Sequence, residues 1–138
     1  MELPGPLPYP GRVSTTQHSI SLLLVENNRD VREALKEILE SEAYRVHTAV
    51  NGQDALNVLA GLERIPELIL LDLVMPVMDG HAFIEHLRRS GALALTRVLV
   101  LTAHPTLPLP HGVSGRLGKP VRLEELLDAI AVHAAPAA

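Results

Sequence analysis

The 138 residues hold 12 Lys and Arg against 16 Asp and Glu, for a formal net charge of −4; from this length one domain is expected, and a multi-domain regulator or a large barrel is not. Hydrophobic residues make up 47%, yet there are only two Tyr, one Phe and no Trp. An aliphatic core is therefore possible and disorder throughout is excluded, while a nucleic-acid binder's basic footprint and aromatic stacking surface are both missing. The absence of Cys excludes disulfides, thiolate metal sites and a cysteine nucleophile, and it fits a reducing, cytoplasmic setting.

In chain order, Pro4, Pro6, Pro8 and Pro10 alternate through the opening residues. Proline at every second position favours polyproline II and cannot join a sheet ladder, so residues 1–18 read as a flexible arm without the features of a signal peptide. Ile20 to Val25 (ISLLLV) is an apolar run of strand length. Asp30 to Ser41 has helical spacing, with Val31, Ala34, Leu35, Ile38 and Leu39 on one face. Tyr44 to Ala49 alternates like a short strand. Asn51 is placed to cap a helix running to Ala60, with Gly61 ending it. Leu68 to Asp72 (LILLD) is a second buried strand, Gly80 to Ser90 a helix stopped by Gly91, and Arg97 to Thr102 (RVLVLT) a further strand. Pro105, Pro108 and Pro110 then break the pattern. Arg116 to Gly118 is a brief strand, and Arg122 to His133 a closing helix with Leu123, Leu126, Leu127 and Ile130 turned inward. Residues 19–134 thus form one domain and 135–138 a frayed tail. No run is long enough to span a membrane.

Strands alternating with helices predict an α/β fold with a parallel sheet, and apolar runs without alternation predict strands covered on both faces. Sites in such sheets form at the carboxyl ends of strands, near the point where strand order reverses. The residues at those ends are Glu26-Asn27-Asn28, Asp72, Thr102 and Lys119-Pro120. Each alone reads as turn or cap chemistry; together they place two carboxylates, an amide, a hydroxyl and an ammonium on one edge. The first strand-to-helix turn, VENNRD, has neither GxGxxG nor GKS/T, which disfavours dinucleotide and P-loop nucleotide binding. His81 and His86 lie five apart, a poor spacing for two ligands on one helix face.

The strings LLLVENNRDVREAL, LILLDLVMPVMDG, VLVLTA and GKPVRLEEL resemble the receiver domain of bacterial response regulators, the CheY-like family. The resemblance implies a flavodoxin-like sheet of five parallel strands in the order 2-1-3-4-5 with helices on both faces. It implies that Asp72 is the phosphoacceptor, Thr102 the switch hydroxyl and Lys119 the phosphate-contacting lysine, with the Lys119-Pro120 bond cis. It also implies Mg²⁺ held by Glu26, Asn27, Asp72 and the backbone carbonyl of Val74. The partners would be a histidine kinase or phosphotransfer protein as donor and an output protein reached by protein–protein contact, with no nucleic acid and no membrane.

Three departures stand against the family pattern. Asn27 replaces a second acidic residue, so Mg²⁺ affinity should be weaker than usual. Arg116 replaces an aromatic residue three positions before Lys119. The stretch between Thr102 and Lys119 is short and proline-broken, so the helix that would follow the fourth strand is expected to be truncated or missing. A degenerate receiver, acting as an interaction module without phosphorylation, is the alternative that these departures favour. A Mg²⁺-dependent hydrolase using Glu26 and Asp72 is a third reading, disfavoured by the lack of a DxD motif after the first strand. The resemblance further implies that Val74 and His104, two residues after Asp72 and Thr102, govern water access to the phosphoryl group.

Overall fold

The computed structural model describes residues 20–73, 78–103 and 108–134. The expectations for the arm at 1–18, the tail at 135–138, Val74 and His104 lie outside the described residues. Five strands are present: β1 (Ser21–Val25), β2 (Arg45–Ala49), β3 (Leu68–Asp72), β4 (Arg97–Thr102) and β5 (Gly115–Gly118). They form one sheet in the order β2-β1-β3-β4-β5, and every pairing is parallel. The helices are α1 (Arg29–Ser41), α2 (Gly52–Ala60), α3 (Gly80–Ser90) and α4 (Leu123–His133), with a 3-10 turn at Ala92–Ala94. This is the architecture the strand–helix alternation and the resemblance imply.

The sheet is covered on both faces, which explains the unbroken apolar runs. Leu23, Val25, Ile69, Leu71, Val98 and Val100 point toward α2 and α3, where Phe83 and Leu87 meet them. Their neighbours Leu22, Leu24, Leu68, Leu70, Leu99 and Leu101 point the other way, toward Leu39 of α1 and Leu126 and Ile130 of α4. A period of two on fully buried strands thus splits one apolar string between two cores.

One sequence expectation about packing is corrected: Leu123, read as turned inward, is exposed as the first residue of α4. The apolar face of α1 is covered only in part, with Val31 and Ala34 exposed and Leu39 fully buried. The α1 cap is Asn28, whose Oδ1 accepts the Val31 N–H at 3.0 Å, and Asp30 lies in the first turn. Asn51 caps α2 as the sequence predicts, accepting the Asp54 N–H at 2.8 Å. Gly91 ends α3 in the left-handed region at φ 84°, a conformation glycine adopts without a Cβ penalty. Among the described residues between β4 and β5 none is helical, as the prolines imply.

Candidate functional site

The carboxyl ends of β1, β3, β4 and β5 converge on a cluster of polar side chains. Glu26 is the residue after β1, and its N–H donates to the Ala49 carbonyl at 3.0 Å, extending the ladder one step. It is 1% exposed. Its Oε2 accepts the Asn28 N–H at 3.0 Å, and its main-chain carbonyl accepts Nη1 of Arg32 at 2.8 Å. Backbone, helix start and strand end are thereby tied together around one buried carboxylate.

Asp72 ends β3, 7% exposed and flanked in register by Leu101 of β4. Beside it the Gly80 N–H donates to the Leu73 carbonyl at 2.9 Å. A Cβ at Gly80 would lie 2.8 Å from the Leu73 Cα, so only glycine fits the helix start beside Asp72. The Gly52 N–H donates to the Met78 carbonyl at 3.1 Å, which joins Met78 to the start of α2.

Thr102 ends β4, 3% exposed, and its carbonyl accepts the Lys119 N–H at 2.8 Å. That bond sets Lys119 one step beyond β5, where the Lys119-Pro120 peptide is cis. The lysine side chain returns across the strand ends: Nζ lies 2.9 Å from Glu26 Oε1 and 3.3 Å from Asp72 Oδ2. Burial works against its charge and is the strongest single influence. The hydrogen bond to Glu26 and the fields of Asp72 and Glu26 together outweigh it, so Lys119 holds its proton above the usual lysine range.

Glu26, Asp72, Thr102 and Lys119 are therefore brought to one edge, while Asn27 stands beside them exposed to solvent. Among the described residues no group of three or more His, Cys, Asp or Glu is placed to hold a metal, which leaves His81 and His86 as surface and helix residues. Sequence reasoning missed Arg32, read there only as part of a polar helix face. It also missed the close backbone approach at Gly80. Nothing in either residue's local sequence marks these contacts, because each depends on a strand end folded against a helix start.

At the carboxyl edge of this doubly wound parallel sheet one lysine bridges two carboxylates. The chain belongs to the response regulator receiver domain family, whose pattern it matches over residues 22–131. The family acts in two-component signalling, as a signalling domain and not as an enzyme of the ordinary kind. Among similar proteins, the response regulator MprA of Mycobacterium tuberculosis is 37% identical over 114 residues, 79% of this chain and 48% of MprA. The chain spans about half the length of the curated relatives it matches. The chemotaxis protein CheY4 of Vibrio cholerae is similar in structure, with a TM-score of 0.73, 27% identity, and coverage of 84% of this chain and 99% of that one. The response regulator TrrA of Thermotoga maritima, solved in complex with Mg²⁺-BeF, has a TM-score of 0.70 and 27% identity, covering 82% of this chain and 97% of its own.

Proposed function

We propose that Asp72 accepts a phosphoryl group from a histidine kinase or phosphotransfer protein and that the domain passes the change on by protein–protein contact. The observation that carries this reading is the Lys119 bridge: one ammonium 2.9 Å from Glu26 and 3.3 Å from Asp72 at a buried strand edge. In the transfer, an Asp72 carboxylate oxygen attacks the phosphorus of a phosphohistidine. The new O–P bond forms as the P–N bond breaks, and the imidazole leaves with its electron pair and takes up a proton. Lys119 supplies the positive charge that meets the phosphoryl oxygens, and the Thr102 hydroxyl donates to one of them as the switch group.

The donor set fits Mg²⁺, which takes oxygen ligands and commonly one or two carboxylates with water. Glu26 and Asp72 would be such ligands, and the Asn27 amide oxygen and the Val74 carbonyl would supply the rest of the protein's share. When bound, the ion neutralises the repulsion between Asp72 and the incoming anion. Because Asn27 adds no charge, this site should hold Mg²⁺ more weakly than one with a third carboxylate.

Asn27 also favours a second reading, an interaction module that works without phosphorylation. Incubation with acetyl phosphate and Mg²⁺, followed by intact-mass measurement, separates the two. The expected result is one added phosphoryl group on the wild type and none on Asp72→Asn. Incorporation that survives Asp72→Asn defeats the assignment, and none in either protein favours the module.

A further inference from the structure

Arg32 of α1 binds the chain immediately before Asn27 and immediately after it. Its Nη1 donates to the Glu26 main-chain carbonyl at 2.8 Å, and its N–H donates to the Asn28 carbonyl at 2.9 Å. The link from Glu26 to Asn28 is fixed at further points. The Glu26 N–H donates to the Ala49 carbonyl, the Asn28 N–H to Glu26 Oε2, and the Val31 N–H to Asn28 Oδ1. The bonds at Ala49, at Val31 and at the Asn28 carbonyl belong to the strand ladder, the helix cap and the first turn of α1. The guanidinium bond belongs to none of these: neither the sheet nor the helix requires it.

The guanidinium comes from one side. Arg32 lines a surface groove with Thr48, Ala49 and Val50 at the end of β2, on one flank of β1. Asp72 ends β3 on the other flank, and Lys119 meets Glu26 through Oε1. Arg32 therefore holds the Glu26 carbonyl and leaves the carboxylate to the site. Two effects of opposite sign follow for a divalent cation. The positive charge of Arg32 repels it, but Arg32 is only half-buried and solvent screens the field. Against this, a peptide is planar, so a bond that holds the Glu26 carbonyl oxygen holds the Asn27 nitrogen and Cα in the same plane. The direction in which the Asn27 side chain leaves the backbone is thereby set. Asn27 is exposed and uncharged, so its amide oxygen draws a cation through a dipole, which acts only when aimed.

We propose that Arg32 is a positioning residue for Mg²⁺: by holding the Glu26–Asn27 peptide plane it presents the neutral Asn27 amide to the ion, and this outweighs the repulsion from its own charge. The inference rests on the reading of Glu26, Asn27 and Asp72 as the metal's ligands.

The test is a Mg²⁺ titration followed by ¹H–¹⁵N NMR, with each protein also melted in chelator. Wild type, Arg32→Met, Arg32→Gln, Asn27→Ala and double variants joining Asn27→Ala to each Arg32 change are compared. Arg32→Met keeps the aliphatic stem and removes charge and donors together. It is expected to bind Mg²⁺ about tenfold more weakly, the low end for a hydrogen bond that orients a metal ligand. Loss of the positive charge alone would tighten binding, so the direction of the change separates positioning from electrostatics. Arg32→Gln, neutral and too short for the carbonyl, should lose as much and serves if Arg32→Met does not fold. Without the Asn27 side chain the same Arg32 changes should alter affinity by less than about twofold. Binding as tight as the wild type, or tighter, by a folded neutral variant overturns the inference and leaves the metal reading standing. So does a loss of the same size that persists in the Asn27→Ala background, and so does unfolding of both neutral variants, since Arg32 then serves the fold alone. A wild type that binds no Mg²⁺ overturns the metal reading and the inference with it.

Discussion

The tips of β1 and β3 are built tightly, and the tip of the edge strand β5 is built more openly. On the first side Glu26 is held through both carboxylate oxygens and its carbonyl, and the turn after Asp72 is closed by a glycine with no room for a methyl group. On the second, a four-residue edge strand is bounded by Gly115 and Gly118, and Gly118 faces open space. Accepting a phosphoryl group needs fixed geometry at a charged centre, since misplacement of reacting groups is costly. Transmitting the event needs an element free to change. The two demands fall on different strands of one sheet.

A pair of matched substitutions breaks this comparison most sharply. Gly80→Ala forces a Cβ to within 2.8 Å of the Leu73 Cα and should destabilise the domain by about 2–3 kcal/mol. Gly118→Ala meets no atom of the described residues within 4 Å, and its effect should stay within about 0.5 kcal/mol. Denaturant unfolding of both proteins measures the contrast. Equal losses would mean that the β5 tip is as constrained as the β3 turn.

A smaller effect comes from the lysine that joins the two sides. Lys119→Met leaves Glu26 and Asp72 buried together without their cation, and a cost of about 1–3 kcal/mol is expected after allowing for solvent access to the lysine. The pH dependence has a definite sign. Because folding raises the Lys119 pKa, its contribution is complete below the unfolded value of about 10.4 and disappears as pH climbs through the folded value. The stability gap between wild type and Lys119→Met should therefore be constant from neutrality to about pH 10 and close above it. Tyr44, raised by its burial and by Glu42, loses stability in the same alkaline range in both proteins, so the difference between them isolates Lys119. A gap that widens at high pH would show that the ion pair does not stabilise the fold.

Much of this was legible in the sequence because the apolar runs carry their own length and the caps their own chemistry. LILLD and RVLVLT coincide with β3 and β4 residue for residue, and Asp72 and Thr102 stand at their ends. Lys119 was legible only as the residue beyond a short, glycine-bounded strand. The partial exposure of α1 was not legible, since periodicity shows which residues share a face but not how far the sheet extends beneath them. Arg32 was invisible for a related reason: a salt-bridging surface arginine and one that clamps a strand-end carbonyl look alike until the helix is placed.

The finest distinction concerns Asn27, which lies beside the tight side but outside its hydrogen-bond frame, exposed to solvent. Replacing its amide by a carboxylate adds a charge near Glu26 and Asp72. At an effective dielectric near 20, two unit charges about 4 Å apart interact by ~4 kcal/mol, but solvent exposure and repulsion from the two existing carboxylates reduce the net gain. Asn27→Asp should bind Mg²⁺ roughly tenfold more tightly, equivalent to about 1.4 kcal/mol. In chelator the same change crowds like charges and should lower the melting temperature slightly, while excess Mg²⁺ should reverse the order of the two proteins. Melting both across a Mg²⁺ titration decides the point. If the wild type binds as tightly as Asn27→Asp, position 27 is not a ligand and the metal rests on Glu26 and Asp72 within the hydrogen-bonded frame. If neither protein is stabilised by Mg²⁺, the tight side is built for the lysine bridge alone, and the interaction-module reading gains at the expense of phosphoryl transfer.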